Sequence, residues 1–449
     1  MSHIRPALRT SLVPCLALFV VLALSARRLA AQDLDDAEKK EAAIVIARAD
    51  SARATLVQPP GSKGLTPATL VRAPFRAVGA GLALVAGAGY GVYRVLDKTG
   101  TIRFVNQANR DLRANDIRVR LKTIGSRSGL ALLGRWDGAR PLFVEGGISM
   151  RRYSLARAGL AFGDTLNGVE LAAGFHRKAQ LHFWGIGNDS REVDVSDYEH
   201  TMREATVRGQ VRVLPHVRVG GGAGWEEDRA DRGNDAMAPD VQDVFAGALP
   251  FGAVGTHRFM RADADLDLDF TSVGGPFQLR GVRLVTDWSG FRGVDEGDPD
   301  FQIASTDLRV YLPLNSRHAF ALRGYAADAF GESNGAVPIY YLATVGGSEG
   351  LRGQKGYRLR DRAALIGMAE WRYQVWWHPG DPIYRVDAFA FVDHGAVGSS
   401  LGSIESSDFL TTPGIGIRFV NRGLTSVETF LAFGGDATPR IGFKLGASF

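Results

Sequence analysis

The chain has 449 residues, with 53 Lys and Arg against 48 Asp and Glu. Its one cysteine, Cys15, excludes a disulfide framework because a disulfide needs two thiols. Residues 1–31 carry four basic and no acidic residues, so the remainder has 49 basic against 48 acidic and gives no support for a nucleic-acid partner.

Residues 1–31 have the pattern of a secretory signal peptide. Arg5 and Arg9 precede an apolar run from Leu12 to Leu24, and small residues follow that run. The run is too short to cross a membrane comfortably as a helix. We therefore expect export with cleavage of residues 1–31, which would leave a mature chain without a thiol.

Residues 32–116 predict a short periplasmic arm with amphipathic or interfacial helices. The segment 32–57 is charged and rich in alanine, and Pro59 and Pro60 end it. The segment 77–93 is apolar and contains five glycines. A helix at the periplasmic membrane face and a membrane-spanning helix both fit this length, and the glycines favour the first because glycine weakens helices.

From residue 117 onward, apolar residues recur with a period of two, which predicts a transmembrane antiparallel β-barrel. The last segment is the clearest example: Ile441, Phe443, Leu445 and Phe449 alternate with residues that include Lys444. We predict that Phe443, Leu445 and Phe449 face lipid, act as the membrane-insertion signal, and form one side of a seam between the first and last strands.

The number of candidate strands is odd, whereas single-chain bacterial barrels have even numbers of strands. We therefore expect about 16 strands, with the surplus segment near 117–136. Tryptophans at 184, 225, 288, 376 and 377 predict an aromatic girdle at the membrane interface. The candidates are 117–124, 128–136, 140–149, 153–163, 168–177, 179–187, 200–213, 215–226, 256–270, 277–290, 300–313, 318–330, 361–376, 383–394, 412–420, 424–434 and 439–449.

The segment 331–360 is too long for a hairpin turn. It is rich in glycine and basic residues, and its distinctive part is Gly346-Gly347 followed by Leu351-Arg352-Gly353. The residues predict a loop that folds into the barrel lumen, with an exposed flexible loop as the simpler alternative.

This loop and the strands around it resemble the BamA/TamA family of outer-membrane proteins, the bacterial surface antigen barrels. The loop residues are similar to the family's lumenal loop motif. Three further motifs carry the resemblance, which covers about residues 117–449: Phe183 to Asn188 with Tyr198, Glu370-Trp371-Arg372, and Phe391-Val392-Asp393-His394-Gly395.

The resemblance brings Arg352, Glu370 and Asp393 into one site. A buried arginine is costly unless it is paired, and its planar guanidinium suits carboxylates. The alternation of the strands places Glu370 and Asp393 on the lumenal side. We therefore predict that both carboxylates clamp Arg352 with Phe391 packed beside it; three unrelated lumenal charges are the alternative.

Two departures from the family pattern bear on function. Gln354 stands where the family's loop has an aromatic residue, and Tyr357 follows three positions later. Residues 32–116 do not resemble the POTRA domains, with which family members capture client chains. The sequence is therefore identified as a short member without recognisable POTRA domains.

The resemblance implies a Gram-negative outer-membrane protein that acts in protein or lipid assembly or translocation through a lateral seam. A passive or loop-plugged pore, or a surface antigen without insertase activity, is the alternative. The expected partners are outer-membrane lipid and lipopolysaccharide, the barrel assembly machinery during insertion, and a client protein or lipid.

The sequence predicts no enzyme, cofactor or metal site. Its histidines lie in no recognisable nucleophile pattern. Asp263, Asp265, Asp267 and Asp269 share one face of a candidate strand. A row of this kind can attract a cation, but we interpret it as ordinary lumenal charge.

Overall fold

The computed structural model of the chain describes residues 112, 114–122, 131–137, 141–164, 166–274, 278–331, 336–378, 384–421, 424–434 and 439–446. The predicted signal peptide, nearly all of the predicted arm and Phe449 lie outside these residues. The compact unit that contains the described residues spans Leu112–Phe449.

Antiparallel strands make up most of the described chain. The barrel strands are β1 Ile117–Lys122, β2 Ala131–Trp136, β3 Leu142–Ser149, β4 Ser154–Gly163, β5 Gly168–Phe183, β6 Ser196–Leu214, β7 Val217–Arg232, β8 Gly255–Asp269, β9 Gln278–Gly293, β10 Phe301–Pro313, β11 His318–Gly331, β12 Ala363–His378, β13 Tyr384–Gly398, β14 Leu410–Asn421, β15 Leu424–Ala432 and β16 Arg440–Leu445.

Each barrel strand pairs with the next one along the chain. The short strand Ser272–Gly274 pairs with β9, as β8 does, so it continues β8 rather than adding a strand. The expected number of about 16 strands is therefore confirmed. Within the described residues, no pairing joins β1 to β16, so the sheet is not closed there.

The prediction that the surplus candidate lies near 117–136 is wrong. β1 and β2 are separate strands, whereas 168–177 and 179–187 belong largely to one strand, β5. The pairing of β5 with β6 shifts register between Lys178 and Leu181, as at a β-bulge. A bulge interrupts the alternation of side chains, so one long strand resembles two short ones.

Side chains alternate between the outer surface and the lumen. On β16, Ile441 and Phe443 are 78% and 66% exposed on the outside, whereas the Lys444 side chain is 10% exposed. On β12, Leu365 is exposed and Glu370 is fully buried. Apolar residues therefore cover the outer face, and the charged ones point inward, as in a transmembrane barrel.

The predicted aromatic girdle holds only in part. Trp288 and Trp376 are 37% and 50% exposed on the outer face. Trp184 is 1% exposed and lies beyond the end of β5, near Arg358. Trp184 is therefore not part of the girdle, because it lies in a loop that packs inward and not at a lipid-facing position of a strand.

The carboxylate row on β8 is paired with arginines from both sides. Asp267 accepts hydrogen bonds from Arg218 of β7 at 2.7 Å and from Arg283 of β9 at 2.9 Å. Asp263 accepts one from Arg261, two residues before it, at 2.7 Å. The row therefore belongs to the charge balance of the lumen wall.

Connections alternate between short and long around the barrel. The turn between β6 and β7 is residues 215–216, whereas β11 and β12 are separated by residues 332–362. Because successive strands are antiparallel, the long connections gather at one end of the barrel and the short turns at the other. The long connections contain the helix α1 Val241–Val244 and the 3-10 turns Glu192–Asp194, Leu401–Ser403 and Ser406–Asp408. Among the described residues, no helix has the length and apolar character needed to cross a membrane.

Candidate functional site in the barrel lumen

The connection between β11 and β12, residues 332–362, is called the lumenal loop, and its described part, residues 336–362, folds into the lumen. Its short strands Ala343–Val345 and Leu359–Asp361 pair with each other and carry the loop tip, residues 346–358. Leu351 and Arg352, at the centre of the tip, are both 0% exposed. The centre of the tip is therefore enclosed by the barrel wall.

Glycines make the tight base of the loop tip. Gly346 and Gly347 have φ values of +128° and +85°, which side-chain-bearing residues rarely adopt. A Cβ on Gly346 would also lie 2.3 Å from the carbonyl oxygen of Lys355. The amide of Gly347 donates to the carbonyl oxygen of Leu351 at 3.1 Å, which turns Arg352 toward the wall.

Arg352 contacts the two carboxylates that the sequence points to. Its Nε and Nη2 donate to the Asp393 carboxylate at 2.9 and 2.6 Å, and its backbone amide donates to the same group at 3.0 Å. Its Nη1 donates to Glu370 Oε1. Burial lowers the pKa of the Arg352 guanidinium, but hydrogen bonds and charges from Asp393 and Glu370 outweigh burial and hold the pKa above its usual value. The arginine therefore stays charged.

An aromatic ring supports the flat face of the same guanidinium. The Arg352 Cζ lies 3.6 Å from the centroid of the Phe391 ring, within the range of a cation–π contact. Phe391 is paired with Gly414 of β14, where a Cβ would be 2.2 Å from the ring. The glycine therefore lets Phe391 lie flat against the wall and leaves room for Arg352.

The network extends beyond the predicted residues to two more arginines and one more carboxylate. Arg418 Nη2 donates to Glu370 Oε2 at 3.1 Å and to Glu428 Oε2 at 2.7 Å, and Arg372 Nε donates to Glu370 Oε2 at 2.8 Å. Three cations thus face three carboxylates. Arg418 and Glu428 are opposite each other in register across a tight turn, and this pairing of opposite charges is the signal that would have identified them.

The hairpin motif at Phe183 to Asn188 lies against the lumenal loop. Asn188 Nδ2 donates to the carbonyl oxygen of Val397 at 2.6 Å, and the Val397 amide donates to Asn188 Oδ1 at 3.0 Å. The amide of Gly187 donates to the carbonyl oxygen of Arg360 at 2.9 Å, and Arg360 Nη1 donates to the Tyr198 hydroxyl at 2.6 Å. The β5–β6 connection therefore binds the lumenal loop and reaches β13 through Asn188.

Gln354 and Tyr357, the two tip residues that depart from the family motif, lie in different surroundings. Gln354 is 2% exposed, and its backbone amide donates to the carbonyl oxygen of Leu351 at 3.0 Å. Tyr357, with φ of +63°, packs against a cluster that includes Tyr153 and Tyr198. The aromatic contact to Arg352 thus comes from Phe391 of the wall.

Of the predicted seam residues, Phe443 is the one whose side chain the structure describes. Phe443 points outward, the Leu445 side chain is not among the described ones, and Phe449 lies outside the described residues. Lys444, pointing inward on β16, has its Nζ 3.3 Å from Glu349 Oε1 of the loop tip. The tip therefore contacts the last strand directly.

Asn188→Ala is expected to loosen the lumenal loop and to lower the free energy of unfolding by about 1–3 kcal/mol, because it leaves the amide and carbonyl of Val397 unpaired. Hydrogen exchange of residues 346–358 and thermal unfolding in detergent measure both effects. Asn315→Ala is the matched control, since the described hydrogen bonds that Asn315 accepts lie in the β10–β11 turn at the opposite end. Equal exchange in the two variants would contradict the role of Asn188.

Comparisons with known proteins bear on the fold. No protein-family model and no curated protein matches the sequence. BamA from Haemophilus ducreyi lacking POTRA domains 1–3 is similar in structure, with a TM-score of 0.51 and 14% identity over 76% of this chain and 78% of that one. CdiB from Acinetobacter baumannii gives a TM-score of 0.44 at 12% identity over 74% of this chain and 60% of that one. CdiB from Escherichia coli gives 0.47 at 13% identity over 74% and 62%.

The BamA match covers most of both chains, and it agrees with the barrel of antiparallel strands described above. At 14% identity this likeness concerns the fold. The chain therefore has the fold of a BamA-like β-barrel.

Proposed function

We propose that the chain is a Gram-negative outer-membrane barrel of the BamA/TamA type that assembles or translocates a client protein or lipid through a seam between β1 and β16. The observation that carries this proposal is the unpaired state of these two strands in the described chain. Unpaired strand edges expose N–H and C=O groups that can pair with an incoming strand.

The pairing partners of β1 and β16 support a seam at this position. Among the described residues, Ile117–Lys122 of β1 pair only with β2, and Arg440–Leu445 of β16 pair only with β15, each through six residue pairs. The pairing of β5 with β6 is much longer. No described residue pair joins β1 to β16, so the wall separates there at lower cost than between two paired strands.

The buried network supports a rigid wall beside that seam. Glu370, Asp393, Arg418 and Glu428 lie on β12, β13, β14 and β15 in turn, and Arg352 joins them from the loop. Four strands are thereby fixed to one another and to the tip. β16 contacts the tip through the partly exposed Lys444–Glu349 pair, which contributes little stability.

Depletion of the chain from its host, followed by a quantitative outer-membrane proteome and lipid analysis, tests the function. We expect other barrels or outer-leaflet lipid to decrease, restoration by the wild-type chain, and weaker restoration by Arg352→Ala. Asn315→Ala should restore fully because it leaves the loop and seam intact. A normal outer membrane after depletion would favour a passive or loop-plugged pore instead.

Membrane fractionation tests the location separately. The chain should be in the outer membrane with lipopolysaccharide, and its own insertion should require the barrel assembly machinery. Recovery in the periplasm or inner membrane would overturn the location, and with it the proposed role.

A further inference from the structure

Besides the Arg352 network and its contacts with the β5–β6 connection, the lumenal loop has a further attachment at its base, on β7. Tyr341 extends its hydroxyl toward β7, where it contacts Glu226 Oε1 and lies 3.0 Å from Asp228 Oδ2. Glu226 and Asp228 are 1% and 0% exposed. They are two residues apart on one strand, so both point into the lumen.

Aromatic packing fixes the ring that carries this hydroxyl. The centroid of the Tyr341 ring lies 4.8 Å from that of Phe291 and 5.4 Å from that of Phe301. Its neighbour Tyr340 stacks on His200 with ring centroids 4.3 Å apart. The orientation of Tyr341 is therefore set by packing, and the hydroxyl has little freedom to avoid either carboxylate.

The hydrogen-bond donors at this contact do not balance if both carboxylates are ionised. A tyrosine hydroxyl has one proton and can donate it to one carboxylate, while an ionised carboxylate can only accept. Burial and the charges of Asp228 and Glu226 raise the pKa of Tyr341, so the hydroxyl keeps its proton. The second carboxylate oxygen then faces an oxygen lone pair, unless that carboxyl itself carries a proton and donates it.

We propose that Tyr341 is a further positioning anchor of the lumenal loop and that it is held by one proton shared with the Glu226–Asp228 pair. With that proton, one carboxyl donates to the tyrosine oxygen while the tyrosine donates to the other. Without it, two buried negative charges and an oxygen–oxygen contact loosen the base of the loop. The Arg352 network contains arginine–carboxylate pairs instead and holds the tip over a wider pH range.

The two anchors lie on separate sectors of the wall. Tyr341 is attached at β7, and Arg352 is attached to β12 and β13, with β8 to β11 between them in the sheet. The loop therefore connects the two sectors, and release of Tyr341 at its base leaves the tip bound through Arg352.

Other charged and titratable groups around the pair affect the same equilibrium. His200 Nε2 lies 2.7 Å from Asp228 Oδ1, and Arg261 Nη1 lies 3.5 Å from Glu226 Oε2. The Arg261 guanidinium and the hydrogen bond between His200 and Asp228 oppose protonation of the carboxyls, whereas the proximity of two carboxylates favours it. Lys178 and His257 also act on Asp228, and the groups one step further away are Tyr198, Asp298, Tyr340 and Arg360, which act on the neighbours of the pair.

Single-channel recording across pH tests the shared proton, because each release of the loop base gives a brief increase in conductance. We expect the wild-type chain to show about three- to tenfold more bursts at high pH than at low pH, the change expected from losing one hydrogen bond. Tyr341→Phe should burst frequently at both pH values. Asp228→Asn should burst rarely at both, since its amide donates to Tyr341 permanently while its oxygen still accepts from His200.

Tyr340→Phe is the matched control, because it removes a neighbouring hydroxyl that makes no hydrogen bond to either carboxylate among the described residues. It should keep the wild-type pH profile. The proposal is overturned if Asp228→Asn retains that profile, or if Tyr341→Phe does. A loop that serves a seam and a loop that only plugs a pore give the same result here, so failure would leave the proposed function standing.

Discussion

Arg352→Ala is expected to lower the free energy of unfolding of the barrel by about 3–5 kcal/mol, the usual cost of removing one partner from a buried ion pair. The variant leaves Asp393 and Glu370 buried without the guanidinium that they share, and it removes the group that stacks on Phe391. Urea unfolding in lipid vesicles and the temperature at which the folded band is lost on gels measure the loss.

Two controls separate this site from ordinary lumenal charge. Arg208→Ala removes an arginine that pairs with Asp265 but is 47% exposed, and such a pair contributes at most about 1 kcal/mol. Arg352→Lys keeps the charge but loses the planar fork, so it should recover only part of the stability. Similar losses for Arg352→Ala and Arg208→Ala would indicate that the buried cluster does not hold the loop.

The second large effect concerns conductance. Replacement of residues 340–358 by a short Gly-Ser linker is expected to raise single-channel conductance several-fold, because the segment occupies the lumen and contains the fully buried Leu351 and Arg352. Planar-bilayer recording of the purified chain measures the effect. Unchanged conductance would mean that other segments close the lumen.

Arg352→Ala on the full-length chain is the matched comparison for that replacement. It releases the tip but leaves the segment present, so we expect fluctuating conductance with a mean near the wild-type value. The loop between β7 and β8 also contributes to closure, since Ala253 packs with Ile339 in one buried cluster. A residual barrier after the replacement is expected from this contact.

The sequence predicts the barrel well because its signal is local. A strand with lipid on one side and charge on the other has a period of two in its apolar residues. Strands such as β12 and β16 can therefore be recognised from the alternation along their own sequence. The bulge in β5 defeats the same reasoning, because a break in alternation within a strand looks like a turn between two strands.

The buried site was predictable only where a motif marked it. Arg352, Glu370 and Asp393 follow from the family resemblance, whereas Arg418 and Glu428 belong to no motif and become evident once strand register is known. The role of Tyr341 could not be predicted from the sequence. Its contact with Asp228 joins residues 113 positions apart, and no local pattern encodes such a distance.

The distribution of the Arg352 network over successive strands has a consequence for the order of assembly. The arginine is neutralised by carboxylates on β12 and β13, and these are in turn fixed by Arg418 on β14 and Glu428 on β15. An intermediate that lacks the last of these strands would leave a buried charge uncompensated, so the loop cannot dock early. We therefore expect the tip to dock only after the C-terminal strands of the wall are in register.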